Sequence, residues 1–342
     1  MIALAQPMQP PKSFSPRFKL SPKRVVAGVA AVLAIGFLAL NWIAYRQAYS
    51  MMHFTAGNPR TGSPEELSRF QKIKVLLTGV NLPRPNSGLG PENLGPGSKK
   101  VTISGPHGVR LGAWYCPNAT NTSLVIFFHG YGGDKTGSLP EAKAFLEMGF
   151  SVLLMDFRGS GDSSESYTTV GFDEAEDVAA AVRYARENLV PKRIILYGQS
   201  MGAVAVLRAV HAHGVEPDAI VAEAVFDTML NTVRNRFYAM GLPLFPGAEL
   251  LVFWGGHQAG FNGFQHNPVD YAASVRCPIL FLHGDADPRA HLDQARRVFN
   301  AVPAHKEFKS FPGLGHESCL SSQPAQWKAT LRQFLQANAL SR

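Results

Sequence analysis

Gly198-Gln199-Ser200-Met201-Gly202 constrains this chain more than any other stretch, because of what flanks it. Before it, Arg193-Ile194-Ile195-Leu196-Tyr197 is a strand-length, mostly apolar run; after it, residues 203–210 have helix-forming composition. A serine at a strand-to-helix corner must turn the chain sharply, so the positions two before and two after it have to be small. Such a corner leaves the hydroxyl exposed at the top of a sheet, over a helix N-terminus. The pentapeptide alone occurs by chance in loops. Placed between this strand and this helix, it predicts Ser200 as a nucleophile.

The rest of the C-terminal part supplies the sheet that such a corner needs. Two strands are expected near residues 101–103 and 109–115, joined by the turn Gly105-Pro106-His107-Gly108. Strands then alternate with helices: strands at 124–128, 151–156, 193–197, 219–223, 279–282 and 306–311, and helices at 139–148, 172–188, 203–213, 291–301 and 324–338. Near-continuous apolar strands separated by helices predict an α/β fold, doubly wound, with a mostly parallel sheet covered on both faces. Residues 227–273 interrupt the alternation with a stretch rich in Phe, Leu, Gly and Pro, too long for a simple connection. It is expected to be an inserted cap.

The N-terminal part has a different character. Residues 25–45 contain no charge and are almost all apolar, long enough to cross a bilayer as a helix. Lys23 and Arg24 flank its start, and Trp42 and Tyr45 lie near its end. The expected organisation is a basic cytoplasmic tail at 1–24, a transmembrane anchor at 25–45, a linker or wrap at 46–98, and a catalytic domain at 99–342. By the positive-inside rule, that domain lies on the extracytoplasmic, periplasmic or luminal side. A cleaved signal peptide is the competing expectation, disfavoured by the long lead-in and the absence of a clean Ala-x-Ala site. Within 46–98, Ser63-Pro64-Glu65-Glu66 is expected to open a short amphipathic helix running to about Leu77.

The formal net charge of +8 would suit a nucleic-acid surface if it were spread over the domain. It is not. Residues 1–46 carry six basic and no acidic side chains, leaving 27 basic against 25 acidic in the remainder. No nucleic-acid partner is expected. Cys116, Cys277 and Cys319 show no metal-ligand spacing, and the sequence does not select a disulfide among them.

A serine hydroxyl needs a base, and the base needs an orienting acid. Both should come from loops following strand C-termini. The strand at 279–282 runs into His283-Gly284-Asp285-Ala286-Asp287, and that at 306–311 into Pro312-Gly313-Leu314-Gly315-His316. His316 is the expected base. Asp287 is preferred as the acid, with Asp285 capping the turn and Asp227 a third candidate. Oxyanion donors are expected from the backbone amides of Met201 and of Tyr131, in Phe128-His129-Gly130-Tyr131-Gly132-Gly133. His129 and His283 are expected to hold their loops rather than act as bases.

Taken in order, His129-Gly130-Tyr131-Gly132-Gly133, Gly198-Gln199-Ser200-Met201-Gly202, His283-Gly284-Asp285-Ala286-Asp287 and Gly315-His316 resemble the α/β-hydrolase superfamily over roughly residues 100–340. The likeness is to serine hydrolases of the serine-aminopeptidase, esterase and dienelactone-hydrolase kinds. Asp156-Phe157-Arg158-Gly159-Ser160-Gly161-Asp162-Ser163 resembles a family turn near the site rim, expected to be held by Arg158 and Asp162. The resemblance implies an eight-stranded-type sheet and a Ser-His-Asp hydrolase with neither metal nor organic cofactor. An ester, thioester or amide would be cleaved through an acyl-Ser200 intermediate, and the membrane segment and apolar cap favour a small-molecule acyl or lipid-like substrate. A peptidase or acyltransferase with the same triad, and a catalytically idle binding protein, are the alternatives.

Overall fold

The structure is a computed structural model and describes residues 21–57, 59–64, 66–118 and 123–340. The basic tail expected at 1–24 lies almost wholly outside the described residues. Two units are distinguished, one ending at Trp42 and one running from Ile43 to the C-terminus. In the first, Pro22–Trp42 is the start of one long helix, α1 (Pro22–Met52), which is long and apolar enough to cross a membrane.

The second unit begins with the last turns of α1, where Ala44, Ala48 and Met52 are buried. Helix α2 (Arg69–Thr78) follows. It starts five residues later than the sequence predicts, because Ser68 and Gln71 form a reciprocal capping box and Ser63 does not cap it. Residues 53–90 do not trail as a free connection. His53 bridges to Tyr167, Ser87 N donates to an Asp134 carboxylate oxygen (2.6 Å), and Gly161 N donates to Pro85 O (2.8 Å).

The sheet is then built from β1 (Lys99–Ser104), β2 (Arg110–Cys116), β3 (Ser123–Phe128), β4 (Ser151–Met155), β5 (Arg193–Gln199), β6 (Ala219–Glu223), β7 (Ile279–Gly284) and β8 (Lys306–Phe311). Its spatial order is β1-β2-β4-β3-β5-β6-β7-β8; β2 is antiparallel to both neighbours, and every later pairing is parallel. The helices are α3 (Leu139–Glu147), α4 (Glu174–Tyr184), α5 (Met201–His213), α6 (Met229–Met240), α7 (Gly247–Ala259), α8 (Pro268–Ala272), α9 (Leu292–Ala301), α10 (Cys319–Ser322) and α11 (Pro324–Ala337). This is the doubly wound α/β-hydrolase arrangement. Residues 185–189 continue α4 as a π turn, so the helix expected at 172–188 starts later and ends irregularly.

Two apolar clusters cover the two faces of the sheet. One packs α4, α5 and α9 on Ile126, Leu153, Leu196 and Phe281; the other packs α3 and α11 on Val125, Leu154, Ile195 and Tyr197. Trp327 of α11 is fully buried in the second, against Phe145 and Tyr197. Strand order reverses beside β3, with β4 on one side and β5 on the other, and a ligand crevice opens at such a reversal. Of the stretch 227–273 expected as a cap, α6 and α7 pack on each other, whereas α8 packs on α5 and α9, with Tyr271 and Ala272 in the first core cluster.

Arg158 and Asp162 do anchor the turn after β4, though not to each other. The Arg158 guanidinium is buried and pairs with Asp177 (2.8 Å) and Glu176 (3.0 Å) of α4, while Asp162 pairs with Lys135 (3.3 Å) and Lys100 (3.5 Å). Burial pushes Asp177 up to about 6, against the pull of Arg158. Removing one partner of a buried pair strands the other charge, which costs more than the pair contributes. Arg158→Met is therefore expected to lower unfolding free energy by about 3–5 kcal/mol in mildly alkaline buffer. Arg158→Met combined with Asp177→Leu should recover much of the loss, as read from urea denaturation midpoints.

Candidate active site

Ser200 occupies the corner between β5 and α5 with φ 51° and ψ −115°. Left-handed backbone at a residue other than glycine costs about 1–3 kcal/mol and persists only where the surroundings enforce it. Here the surroundings are backbone. A Cβ at Gly198 would lie 2.5 Å from Ala203 N, and one at Gly202 would lie 2.1 Å from Phe128 O. No side chain fits at either position, which lets β5, α5 and the end of β3 meet closely. Ser200 N donates to Glu223 O at the end of β6 (2.8 Å). The hydroxyl is left at the C-terminal edge of the sheet.

His316 reaches that hydroxyl from the loop after β8. Gly313 has φ +70°, and its amide donates to the Asp285 carboxylate (2.7 Å), so Asp285 caps this turn. Gly284 permits the contact between the two loops, since a Cβ there would lie 2.3 Å from both Leu314 O and Gly315 O. The result is one chain of hydrogen bonds. His316 Nε2 lies 3.0 Å from Ser200 Oγ, and His316 Nδ1 lies 2.6 Å from Asp287 Oδ2. Asp227 is elsewhere, accepting from Arg297 Nε (2.9 Å) and Asn231 Nδ2 (3.0 Å). Of the three acids considered, the structure brings Asp287 to the imidazole.

Asp287 is buried, which opposes its ionisation. Hydrogen bonding and charge from His316, with the amides of Ala290 (3.0 Å) and Arg289 (2.8 Å) on Oδ1, outweigh burial and hold the carboxyl below its ordinary value. An ionised carboxylate only accepts, so Nδ1 carries the imidazole proton and Nε2 offers its lone pair to Ser200.

The loop after β3 approaches the same point. Gly130 to Gly133 form a tight turn closed by Gly133 N to Gly130 O (3.2 Å), with Gly132 at φ +64°. Gly130 lies against Ser200: a Cβ there would be 3.7 Å from Ser200 Cβ. Tyr131 follows it. Met201 opens α5, and the first amides of a helix have no acceptor within the helix. His129 is buried; its Nε2 accepts from Phe157 N (3.2 Å), so Nδ1 donates to Gly130 O (2.8 Å). His283 donates from Nε2 to Ala290 O (2.7 Å). Burial lowers the pKa of both, and both hold loops.

Several supporting groups escaped the sequence reading. Arg60 Nη1 donates to Gly132 O (2.7 Å), and the Tyr131 hydroxyl donates to Met51 O, so Met51 and Arg60 brace the Gly130–Gly133 turn. Lys135 and Asp156 form a buried ion pair, and Asp156 also accepts from the amides of Lys135 and Asp162 (both 2.9 Å). That carboxylate ties the segment after the Gly130–Gly133 turn to the turn after β4. Glu174 is fully buried and gathers Thr168, Thr169 and the amide of Gly171. Behind the triad, Glu223 accepts from Cys319 N (2.8 Å) and from the Tyr197 hydroxyl, and burial followed by the charge of Glu141 raises it to about 7. The sequence signals were positional. Glu174 and Asp177 share the face of α4 that carries Val178 and Ala181, and Glu223 ends an otherwise apolar strand.

Comparison with known proteins agrees with this architecture. The prolyl oligopeptidase family profile matches residues 138–341. The Mycobacterium tuberculosis protein Rv2307c is 30% identical over 251 residues, covering 72% of this chain and 82% of that one. The zebrafish lysophosphatidylserine lipase ABHD12 is 22% identical over 232 residues, covering 63% of this chain and 58% of the lipase. Among solved structures, the Pyrococcus furiosus esterase Pf2001 superposes with a TM-score of 0.63 at 27% identity, covering 75% of this chain and 97% of the esterase. The chain belongs to the prolyl oligopeptidase family and is a serine hydrolase of the α/β-hydrolase fold.

Proposed function

We propose that this protein cleaves an ester, thioester or amide of a small acyl or lipid-like molecule through an acyl-Ser200 intermediate, while held at a membrane by residues 25–45. The observation that carries the chemistry is the Asp287–His316–Ser200 chain of hydrogen bonds, at 2.6 and 3.0 Å. His316 Nε2 takes the hydroxyl proton as Ser200 Oγ attacks the substrate carbonyl carbon. The amides of Tyr131 and Met201 receive the charge that develops on the carbonyl oxygen. Protonated His316 is stabilised by Asp287 and gives its proton to the leaving group. Water, deprotonated by His316, then releases the acyl group and restores Ser200.

The acyl-substrate reading is supported by the esterase and lipase names of the similar proteins and by the apolar side chains of the cap, among them Phe237, Leu242, Phe253 and Trp254. Phe261 is not part of that support. It stacks on Phe172 of the main domain with centroids 3.8 Å apart. Membrane anchoring is supported by the length and apolar character of α1. The expected orientation keeps the N-terminus cytoplasmic and places the hydrolase unit on the far side.

Ser200→Ala should lower kcat for a short-chain p-nitrophenyl ester by about 10^5-fold or more and abolish labelling by a fluorophosphonate. Unchanged turnover or labelling would remove Ser200 from the nucleophile role. Asp287→Asn should lower kcat by about 10^3–10^4-fold through the wrong imidazole tautomer. Asp285→Asn, which perturbs a turn, should stay within about tenfold of wild type. The reverse ranking would reassign the acid.

The lowered pKa of Asp287 gives a stability effect of definite sign. It contributes stability that is present above the ordinary carboxylate value of 3.8 and lost as pH falls through its lower folded value. Acid unfolding curves should therefore fall more steeply for wild type than for Asp287→Asn at the acid end. Parallel curves would show that the carboxylate contributes no such linkage.

A further inference from the structure

Three of the large apolar side chains exposed on the second unit lie on one short helix. In α2, Phe70, Ile73 and Leu77 are 77, 58 and 68% exposed. Spaced at i, i+3 and i+7, they form a single stripe. The helix is attached by its other side. Gln47 Nε2 donates to Val75 O (2.6 Å) and Leu76 O (2.8 Å), and Lys72 Nζ donates to Ala239 O at the end of α6 (2.7 Å). A helix on the surface of a water-soluble domain turns its apolar face inward. This one turns it out.

The cap carries exposed apolar side chains of its own. Next to Ala239, Tyr238 is 77% exposed, as is Phe245 in the connection to α7. At the 100° per residue of a helix, Arg69 and Lys74 fall on either side of the α2 stripe. Apolar side chains bordered by cations suit an interfacial helix, whose apolar face enters the acyl boundary while the cations reach lipid phosphates. The chain itself says which surface is near. The apolar segment ends at Tyr45, two residues before Gln47, the side chain that holds the last turn of α2.

We propose that α2, with the exposed edge of the cap at Tyr238 and Phe245, rests in the interface of a lipid bilayer bearing anionic headgroups, with Phe70, Ile73 and Leu77 inserted. The proposal rests on the membrane-anchored reading of residues 25–45 and adds a second, peripheral contact to it. Helix α6 also reaches the site: the Arg236 guanidinium lies 5.7 Å from the Tyr131 ring, and Asn235 donates to Arg289 O (2.9 Å). The docked edge thus joins the bilayer surface to the acid and oxyanion loops, on the side from which a lipid-like acyl substrate would arrive.

The test uses the full chain in vesicles of phosphatidylcholine and phosphatidylglycerol. An environment-sensitive fluorophore is placed at Ile73→Cys in a Cys277→Ser background, and in a parallel sample at Lys192→Cys, just before the N-terminal end of the central strand β5. Quenching by shallow doxyl-labelled lipid should be several-fold greater at position 73 than at position 192. Alkaline extraction of the same vesicles reports the anchor separately. Weak quenching at 73 in protein that resists extraction overturns the docking and leaves the anchor standing. Strong quenching at 73 in protein that is extracted supports the docking and removes the anchor. Weak quenching in extracted protein removes both. Shielding of the probe in detergent, with a doubled mass and no quenching in vesicles, would instead assign the stripe to a second copy of this chain. As a functional check, the variant Phe70→Ser, Ile73→Ser, Leu77→Ser should keep wild-type turnover of a soluble ester. It should lose quenching from a probe at the neighbouring Lys74→Cys by several-fold; full retention of that quenching overturns the inserted stripe.

Discussion

Ser200 is held in backbone strain by the absence of two side chains. Gly198 and Gly202 let β5, α5 and β3 approach so closely that the serine between them has no relaxed alternative. The hydrogen bond from its amide to Glu223 O fixes the corner against β6. Everything else at the site is arranged around a hydroxyl fixed in this way. The loops need only reach one point in space, and they leave from the same C-terminal edge of the sheet: β3, beside β5, for the Gly130–Gly133 turn, and β7 and β8, beyond β6 on the other side, for Asp287 and His316.

Loops are poor at holding an accurate position unless something buried ties them. This protein uses charge for that purpose. Asp156 binds Lys135 beyond the Gly130–Gly133 turn and the amide of Asp162 in the next loop; Asp177 holds Arg158; Glu174, the first residue of α4, collects Thr168, Thr169 and the amide of Gly171. Each carboxylate receives several donors, as burial of a charge requires. Glu223 works differently. Burial and the nearby Glu141 favour its neutral form, and it links the nucleophile corner to the segment three residues past His316 through Cys319 N. Asp287, His316 and Ser200 therefore stand on a buried, largely hydrogen-bonded polar layer that couples them through their backbones.

The parts of this design that obey a period or a local steric rule were legible in the sequence. Apolar runs located the strands of the parallel sheet within a residue or two, and the glycines around Ser200 located its corner. The acid was not separable from its neighbour by spacing alone. Asp285 and Asp287 point to different partners because Gly284 is the last residue of β7, after which the chain turns; this depends on three-dimensional contact with Gly313 and His316. The bracing role of residues 51–60 was equally invisible. Its bonds to Tyr131 and Gly132 span more than 70 positions and involve ordinary residue types. In α2 the amphipathic pattern was visible, but not which side would face the protein, and capping moved its start from the Ser63 region to Ser68.

That orientation of α2 bears on why a hydrolase would carry an N-terminal extension braced against its own active-site loop. A substrate that partitions into lipid is presented at a surface, so an enzyme gains more from lying against that surface than from a deep aqueous pocket. The extension meets both requirements with one stretch of chain. The last turn of α1 and Arg60 support the Gly130–Gly133 turn through Met51 O and the Arg60 guanidinium, while α2, held by Gln47 and Lys72, carries the outward apolar stripe. A displacement of α2 would be felt at Ala239 in the cap through Lys72, and Arg236, one turn earlier in α6, lies over Tyr131. The outward stripe of α2 and the Tyr131 turn are thus mechanically adjacent, separated by a single turn of α6.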